Sequence, residues 1–221
     1  MKLNKLIPSF IVALAFTLVT GFIVSEAANS IRVTLMTHAA FFSAETHQPK
    51  PIDPQVFVRD PAALAGTGPQ GIQHVAGIRP ALIEQDHNTT PLVNANGETL
   101  GFDLADWLGA KGVVTITQSV NGKTQVSARF THLRPGGYYS LFENHFDQQP
   151  IGFTPLDGAG KTNNFVADKN GIARVTVAAA QPLTHANAVL LVYHSDKTFH
   201  GDRRGDPGVN AHHQLIARIP E

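Results

Sequence analysis

The chain has 221 residues, with 17 Lys plus Arg against 17 Asp plus Glu, eleven His and no Cys. The absence of Cys excludes disulfides, thiolate metal ligands and a Cys nucleophile. The balanced charge shows no basic stripe and no acidic tail, so no nucleic-acid partner is expected, and the abundance of Thr, Val, Gly and Asn suits an extracytoplasmic all-β domain.

The chain opens MKLNKLIPSFIVALAFTLVTGFIVSEAANS. Lys2 and Lys5 precede an apolar run from Leu6 to Val24, and Ser25-Glu26-Ala27 places small residues where a signal peptidase reads. Residues 1–27 therefore read as a secretory signal cleaved after Ala27. The alternative is an uncleaved anchor, because the run approaches spanning length; Pro8 and the small-residue end favour cleavage. The product, residues 28–221, is expected to be secreted or periplasmic, with no stable membrane insertion. Without Cys it carries no lipoprotein anchor, and it is large enough to bury a core without disulfides.

Residues 31–36, IRVTLM, read as one strand. Residues 43–100 carry many Pro, Gly and Asn and little periodicity, so residues 28–111 read as a long irregular extension with one or two short strands. DLADWLGAK, 103–111, reads as a short helical turn capped by Asp103, whose carboxylate accepts free amide hydrogens of the first turn.

From 112 the alternation is regular. GVVTITQSV places Val114, Ile116 and Val120 on one face, and TQVSARF places Val126, Ala128 and Phe130 inward. Asn121-Gly122 between them marks a hairpin, since both residues tolerate positive φ. LRPGG, 133–137, breaks the chain and YYSLF restarts it. NNFVADKNGIARVTV, 163–177, reads as a second hairpin with its turn at Asp168-Lys169-Asn170-Gly171; that turn lacks the further oxygen ligands of a calcium loop. AVLLVYH, 188–194, reads as a strand buried on both faces, and HQLIARI, 213–219, closes the domain. Six or more short strands at this spacing imply an all-β, Ig-like Greek-key sandwich over residues 112–221. There is no internal repeat, P-loop or dinucleotide fingerprint.

Five of these segments resemble, in order, the copper/zinc superoxide dismutase sandwich over about residues 112–219. GVVTITQ resembles that family's opening strand, THLRPGGYYSLF its Leu-x-Pro-Gly turn and following strand, and FVADKNGIARVTV its Ala-Asp-x-x-Gly-x-Ala hairpin. LLVYHSDKTFHGD resembles a strand ending in His and then acidic residues, and GDPGVNAHHQLIARI the terminal Gly-rich loop and last strand. The resemblance implies the fold. It does not carry the activity, because alignment through Leu133-Arg134-Pro135-Gly136 puts Leu141 and Glu143 where the family has its copper-ligand His-x-His pair. The family's disulfide cysteines are absent, no His occurs between 146 and 184, and only His194 matches a ligand position. A redox copper centre needs several imidazoles, so superoxide dismutase activity is not expected.

The candidate site lies in LLVYHSDKTFHGDRRGDPGVNAHH, 190–213. If the loop folds back, His194, His200, Asp202 and one of His212 and His213 could hold copper or zinc; His212 and His213 point to opposite faces, so only one can join. The other reading is a polar loop punctuated by Gly201, Gly205, Pro207 and Gly208. His194 is expected to be buried and turned to the loop, with Asp196, Asp202, His200, a backbone carbonyl or a metal as partner. Glu143 and His145, two apart on a strand, form a candidate acid–base pair near that loop if the strands are neighbours. No Gly-x-Ser-x-Gly elbow is present, and neither RGD at 204–206 nor NTT at 88–90 enters the functional reading. The sequence thus favours an exported β-sandwich with a non-enzymatic binding or envelope-associated role. The alternative is a copper- or zinc-binding protein, redox-related, with its site at 194–213.

Overall fold

The computed structural model describes residues 29–118 and 123–221. The expected signal segment 1–27, Val120 and the Asn121-Gly122 turn lie outside these residues. The described residues form fifteen strands and two short helices, which is the all-β class the alternation implied.

The N-terminal half contributes β1 (Asn29–Thr37), α1 (His38–Glu45), β2 (Ile52–Arg59), β3 (Gly66–Thr67), β4 (Gln73–His74), β5 (Ile78–Leu82), β6 (Pro91–Val93), β7 (Thr99–Asp103) and α2 (Leu104–Leu108). The C-terminal half contributes β8 (Lys111–Gln118), β9 (Thr124–Thr131), β10 (Tyr138–His145), β11 (Gly152–Pro155), β12 (Asn164–Val166), β13 (Ala173–Ala179), β14 (Asn187–His194) and β15 (Ala211–Arg218). One large antiparallel sheet runs β11-β10-β14-β15-β1-β8-β9-β13, and β12 shares the edge of β10 with β11. A second sheet runs β5-β2-β6-β7, and β3 and β4 form a small ribbon.

The β8–β9 pair forms in the register the alternation requires, with Val114, Ile116, Val126, Ala128 and Phe130 all buried. Asp103 caps α2 by accepting from the Asp106 amide at 2.8 Å. β14 is buried at every position because both faces are covered. Its inner face joins Leu141, Leu215 and Trp107 in the main core. Its outer face, with Phe142 and Ile216, lies under Phe41 of α1 and under Phe146 and Phe153.

Two expectations are corrected. The 43–100 segment holds six strands, not one or two. Pro54, Pro80 and Pro91 lie inside them and hide the pattern, and the β2–β5 ladder skips from Ile52 to Phe57, so no regular alternation develops. Moreover β1 is inserted between β15 and β8 in the large sheet, and Val56, Val58, Leu92 and Leu100 of the second sheet share the core of the first. The second hairpin is also not a hairpin. Its turn forms, with Asp168 Oδ1 accepting from the amides of Asn170 and Ile172 at 2.8 and 2.9 Å. But β12 pairs with β10 and β13 with β9, so the turn bridges the two ends of a curled sheet.

Close packing at Gly112 gives a test. A Cβ there would lie 2.7 Å from the Phe130 ring and 3.2 Å from Leu35 Cδ1. Gly112→Val should lower the free energy of unfolding by about 1–3 kcal/mol through overpacking, read as the midpoint shift in urea denaturation; an unchanged midpoint would show that the β8–β9 core has room to spare.

Candidate functional site

Of the expected site residues, His212 and His213 sit at the seam between the two sheets. β1 pairs with β15 only at Met36↔Ile216 and Thr37↔Leu215, because Thr37 caps α1 and the chain turns away at His38. Residues 211–214 of β15 thus lack a strand on that side, and a buried unpaired amide is costly. β2 fills the gap with side chains. Gln55 Oε1 accepts from the His213 amide at 2.7 Å, and the Gln55 carbonyl accepts from His212 Nδ1 at 3.0 Å. β2 is itself unladdered from 53 to 56, where Asp53 Oδ1 accepts from the amides of Gln55 and Val56 at 2.9 and 3.1 Å. Trp107 Nε1 donates to Asp53 Oδ2 at 2.8 Å, and Gln214 Nε2 donates to the Trp107 carbonyl at 3.0 Å.

His212 and His213 point to opposite faces, as the strand period requires. On the inner side His212 Nε2 meets Ser195 Oγ at 3.2 Å. On the outer side Arg204 Nη1 lies 3.0 Å from His213 Nε2, and His213 Nδ1 lies 3.4 Å from His38 Nε2. Since guanidinium only donates, His213 Nε2 accepts, its Nδ1 carries the proton, and His38 Nε2 accepts in turn. That leaves the His38 Nδ1 proton buried without a partner. The Arg204 guanidinium lies 3.4 Å from the Phe153 ring centroid.

His194 is fully buried, but its main partner comes from the neighbouring strand and not from the loop. Its Nε2 is 2.6 Å from Ser140 Oγ, which donates to Asn164 Oδ1 at 2.6 Å; Asn164 Nδ2 donates to the Gly160 carbonyl at 2.8 Å. The Ser140 proton is committed to Asn164, so His194 donates from Nε2 and its Nδ1 is a buried lone pair without a partner. The loop enters through His200, whose ring centroid is 5.2 Å from that of His194. Asp196 Oδ2 is 3.1 Å from His200 Nε2, near enough for an ion pair but not aligned as a hydrogen bond, so that nitrogen is also buried without one. Asp202 is exposed and pairs with none of the four histidines. Among the described residues no three His, Asp or Glu side chains are placed to hold a metal ion.

Glu143 and His145 do lie on a strand beside β14, but the pairing is antiparallel. Glu143 is opposite Val189 and Tyr138 is opposite His194, which sets the pair about 17 Å of strand from the loop. His145 Nδ1 is 3.7 Å from Glu143 Oε1 and its Nε2 is 2.8 Å from Thr154 Oγ1. Burial, opposed by His145, raises the Glu143 carboxyl above its ordinary range.

Burial keeps the seam imidazoles neutral. It lowers His38 to about 3, with Arg204 adding, and His194 to about 4, with His200 adding. It lowers His212 to about 4 against the Gln55 hydrogen bond, and His213 well below its ordinary value with His38 and Arg204 adding. Burial raises Asp53 to about 6 against its three hydrogen bonds. His212 ties β15 to β2 across the two sheets and Asp53 ties β2 to Trp107, whereas His194 ties β14 to β10 within the large sheet and His213 meets His38 of α1.

The open feature of the molecule is elsewhere, and the sequence reading missed it. The outward face of β1, β8, β9 and β13 forms a groove of about 750 Å³ that includes Arg32, Lys111, Arg129 and Arg174. No Asp or Glu occurs in these four strands, and none of the four cations makes an ion pair or side-chain hydrogen bond among the described residues. Arg129 and Arg174 are directly opposite each other in the ladder, an arrangement that repels. The expectation of no basic stripe is therefore corrected: strand pairing assembles one from residues far apart in the chain. The local signal was a cation at a polar-phase position of each strand with no acid among them. No protein-family model matches the chain, and neither does a curated protein or a solved structure.

The buried imidazoles set the pH dependence. Unfolded His takes up a proton below about pH 6.5, whereas folded His38 stays neutral to about 3, His194 and His212 to about 4, and His213 is held well below its ordinary value, so the unfolded state binds more protons and stability falls with pH. Asp53 acts oppositely between about 6 and its unfolded value of 3.8, because the folded carboxyl keeps its proton, and the raised Glu143 carboxyl acts in the same sense, but these are two groups against four. Urea denaturation should show a free energy of unfolding that decreases steadily from pH 7 to pH 5; a flat or rising profile would mean that the imidazoles titrate freely in the folded state.

Proposed function

We propose that the chain is an exported, secreted or periplasmic β-sandwich with a non-enzymatic binding or envelope-associated role, and that the basic groove is its binding surface. The groove carries this reading: four cations share one face without counter-charge, with Arg129 and Arg174 directly opposite each other. Like charges placed opposite one another weaken a sheet, and a feature that works against stability is the kind retained for function. The resemblance to the dismutase sandwich is supported in order along the chain. Its five segments fall on β8, on the turn into β10, on the β12–β13 turn, on β14 with its loop, and on β15. The copper set of that family does not fit: Leu141 lies in the apolar core and Glu143 beside His145 at the far end of the strand. Among the described residues no helix is long and apolar enough to cross a membrane.

A second reading, a copper- or zinc-binding protein, is favoured by one observation. His194 Nδ1 and His200 Nε2 are both buried without hydrogen bonds, with Asp196 beside the latter. Protein purified without a His-tag and titrated with zinc or copper separates the two. The binding reading expects less than about a tenth of an equivalent; stoichiometric uptake that His200→Ala abolishes and His213→Ala preserves establishes the metal reading.

The groove has its own check. Arg174→Thr removes half of the repelling pair, so the variant should be as stable as the parent or more stable, by about 0.2–1 kcal/mol. A loss of more than about 1 kcal/mol in urea denaturation would assign Arg174 to holding the fold together and remove the groove as a binding surface.

A further inference from the structure

The four cations are arranged in cross-strand rows. One row runs Thr34, Val113, Arg129 and Arg174 across β1, β8, β9 and β13. The next runs Arg32, Thr115, Ser127 and Thr176, and the Ser127 and Thr176 hydroxyls are 3.2 Å apart. Lys111 stands one row to the other side of Val113. Strands about 4.8 Å apart, with rows about 7 Å apart along them, put Arg129 and Arg174 side by side and Arg32 about 12 Å from Arg129 between backbones, a gap that two long side chains and a ligand with more than one anionic group span.

Three of the four are guanidiniums, which bind tetrahedral oxyanions through paired N–H bonds. The hydroxyls between them add donors at the same level. No aromatic side chain lines the groove, so it offers no platform on which bases would stack, as single-stranded nucleic-acid sites do. Its volume is that of a small-ligand site. On the reading that this groove is the binding surface, we propose that it holds a small molecule carrying two or more phosphate or sulfate groups. Arg129 and Arg174 together clamp one group, and Arg32 with Ser127 and Thr176 takes the second. The mutual repulsion of Arg129 and Arg174 disappears when an anion lies between them, so the ligand stabilises the protein as it binds.

The test uses the full chain with sodium tripolyphosphate as probe, followed by calorimetry and by the shift in melting temperature. One site per chain is expected, weakening as salt is raised, and weakened about tenfold or more in Arg129→Gln and in Arg174→Gln. Arg32→Gln, two strands away, should weaken it as well. Arg203→Gln, the same charge change on the far loop, should leave it intact. The urea midpoint of each variant checks its fold. Vesicles of phosphatidylglycerol and of phosphatidylcholine, and a single-stranded oligonucleotide, form the comparison arms. Binding of tripolyphosphate with this variant pattern supports the proposal. Binding of phosphatidylglycerol vesicles or of the oligonucleotide that the groove variants abolish, without tripolyphosphate binding, overturns the ligand class and leaves the groove as the binding surface. No binding of any probe, or binding that all variants keep, overturns both.

Discussion

The structure depends on one repair. β15 loses its neighbour where β1 turns into α1, and β2 carries an unladdered stretch from 53 to 56. Each defect faces the other, and Gln55 joins them through both its side chain and its carbonyl. Its amide also reaches Gln70 at 2.7 Å, and Asp53 anchors the same turn to Trp107. Buried polar groups are tolerated when they find partners, and here the partners that Gln55 supplies to β15 place the second sheet on the first.

The same condition explains why histidine is so common at the seam. A neutral imidazole offers one donor and one acceptor in a flat, compact ring, so it can link a carbonyl on one strand to a hydroxyl on another without a buried charge. His212 does this between Gln55 and Ser195, and His194 begins a chain through Ser140 and Asn164 to Gly160. Gly160 itself is seated so close to the Gly201 carbonyl that a side chain would collide with it, which ties the 195–210 loop to the far end of the same chain of hydrogen bonds. Asn94 holds the loop from the other side by donating to the Val209 carbonyl at 2.9 Å. His194 and His212 thus take part in polar ties beneath a long loop.

The groove follows from strand order in the large sheet. Inward positions of β8 and β9 fill the core, and the outward positions of β1, β8, β9 and β13 are left side by side on one face. The protein is neutral as a whole, so a face with four cations and no acid is a segregation of charge and not an excess of it. Such a face focuses field at one place without giving the molecule a net attraction for every polyanion.

Where structure is decided by neighbours in sequence, the sequence was enough. The β8–β9 alternation, the Asp103 cap and the continuous apolar run of β14 each rest on contacts within a strand, a turn or one hairpin, and periodicity records them directly. The all-β class and the opposite facing of His212 and His213 follow from the same local rules. The six strands of 52–103 were hidden because Pro residues and side-chain hydrogen bonds replace the ladder that would produce a pattern. The partner of His194 lay on β10, 54 residues away, and that of His212 on β2, 157 residues away. The groove draws on residues 32, 111, 129 and 174, which only strand order brings to one face. Periodicity fixes which side of its own strand a residue faces, but which strands become neighbours is set by burial and hydrogen-bond satisfaction across the whole chain, and so the tertiary structure alone decided what each of these side chains meets.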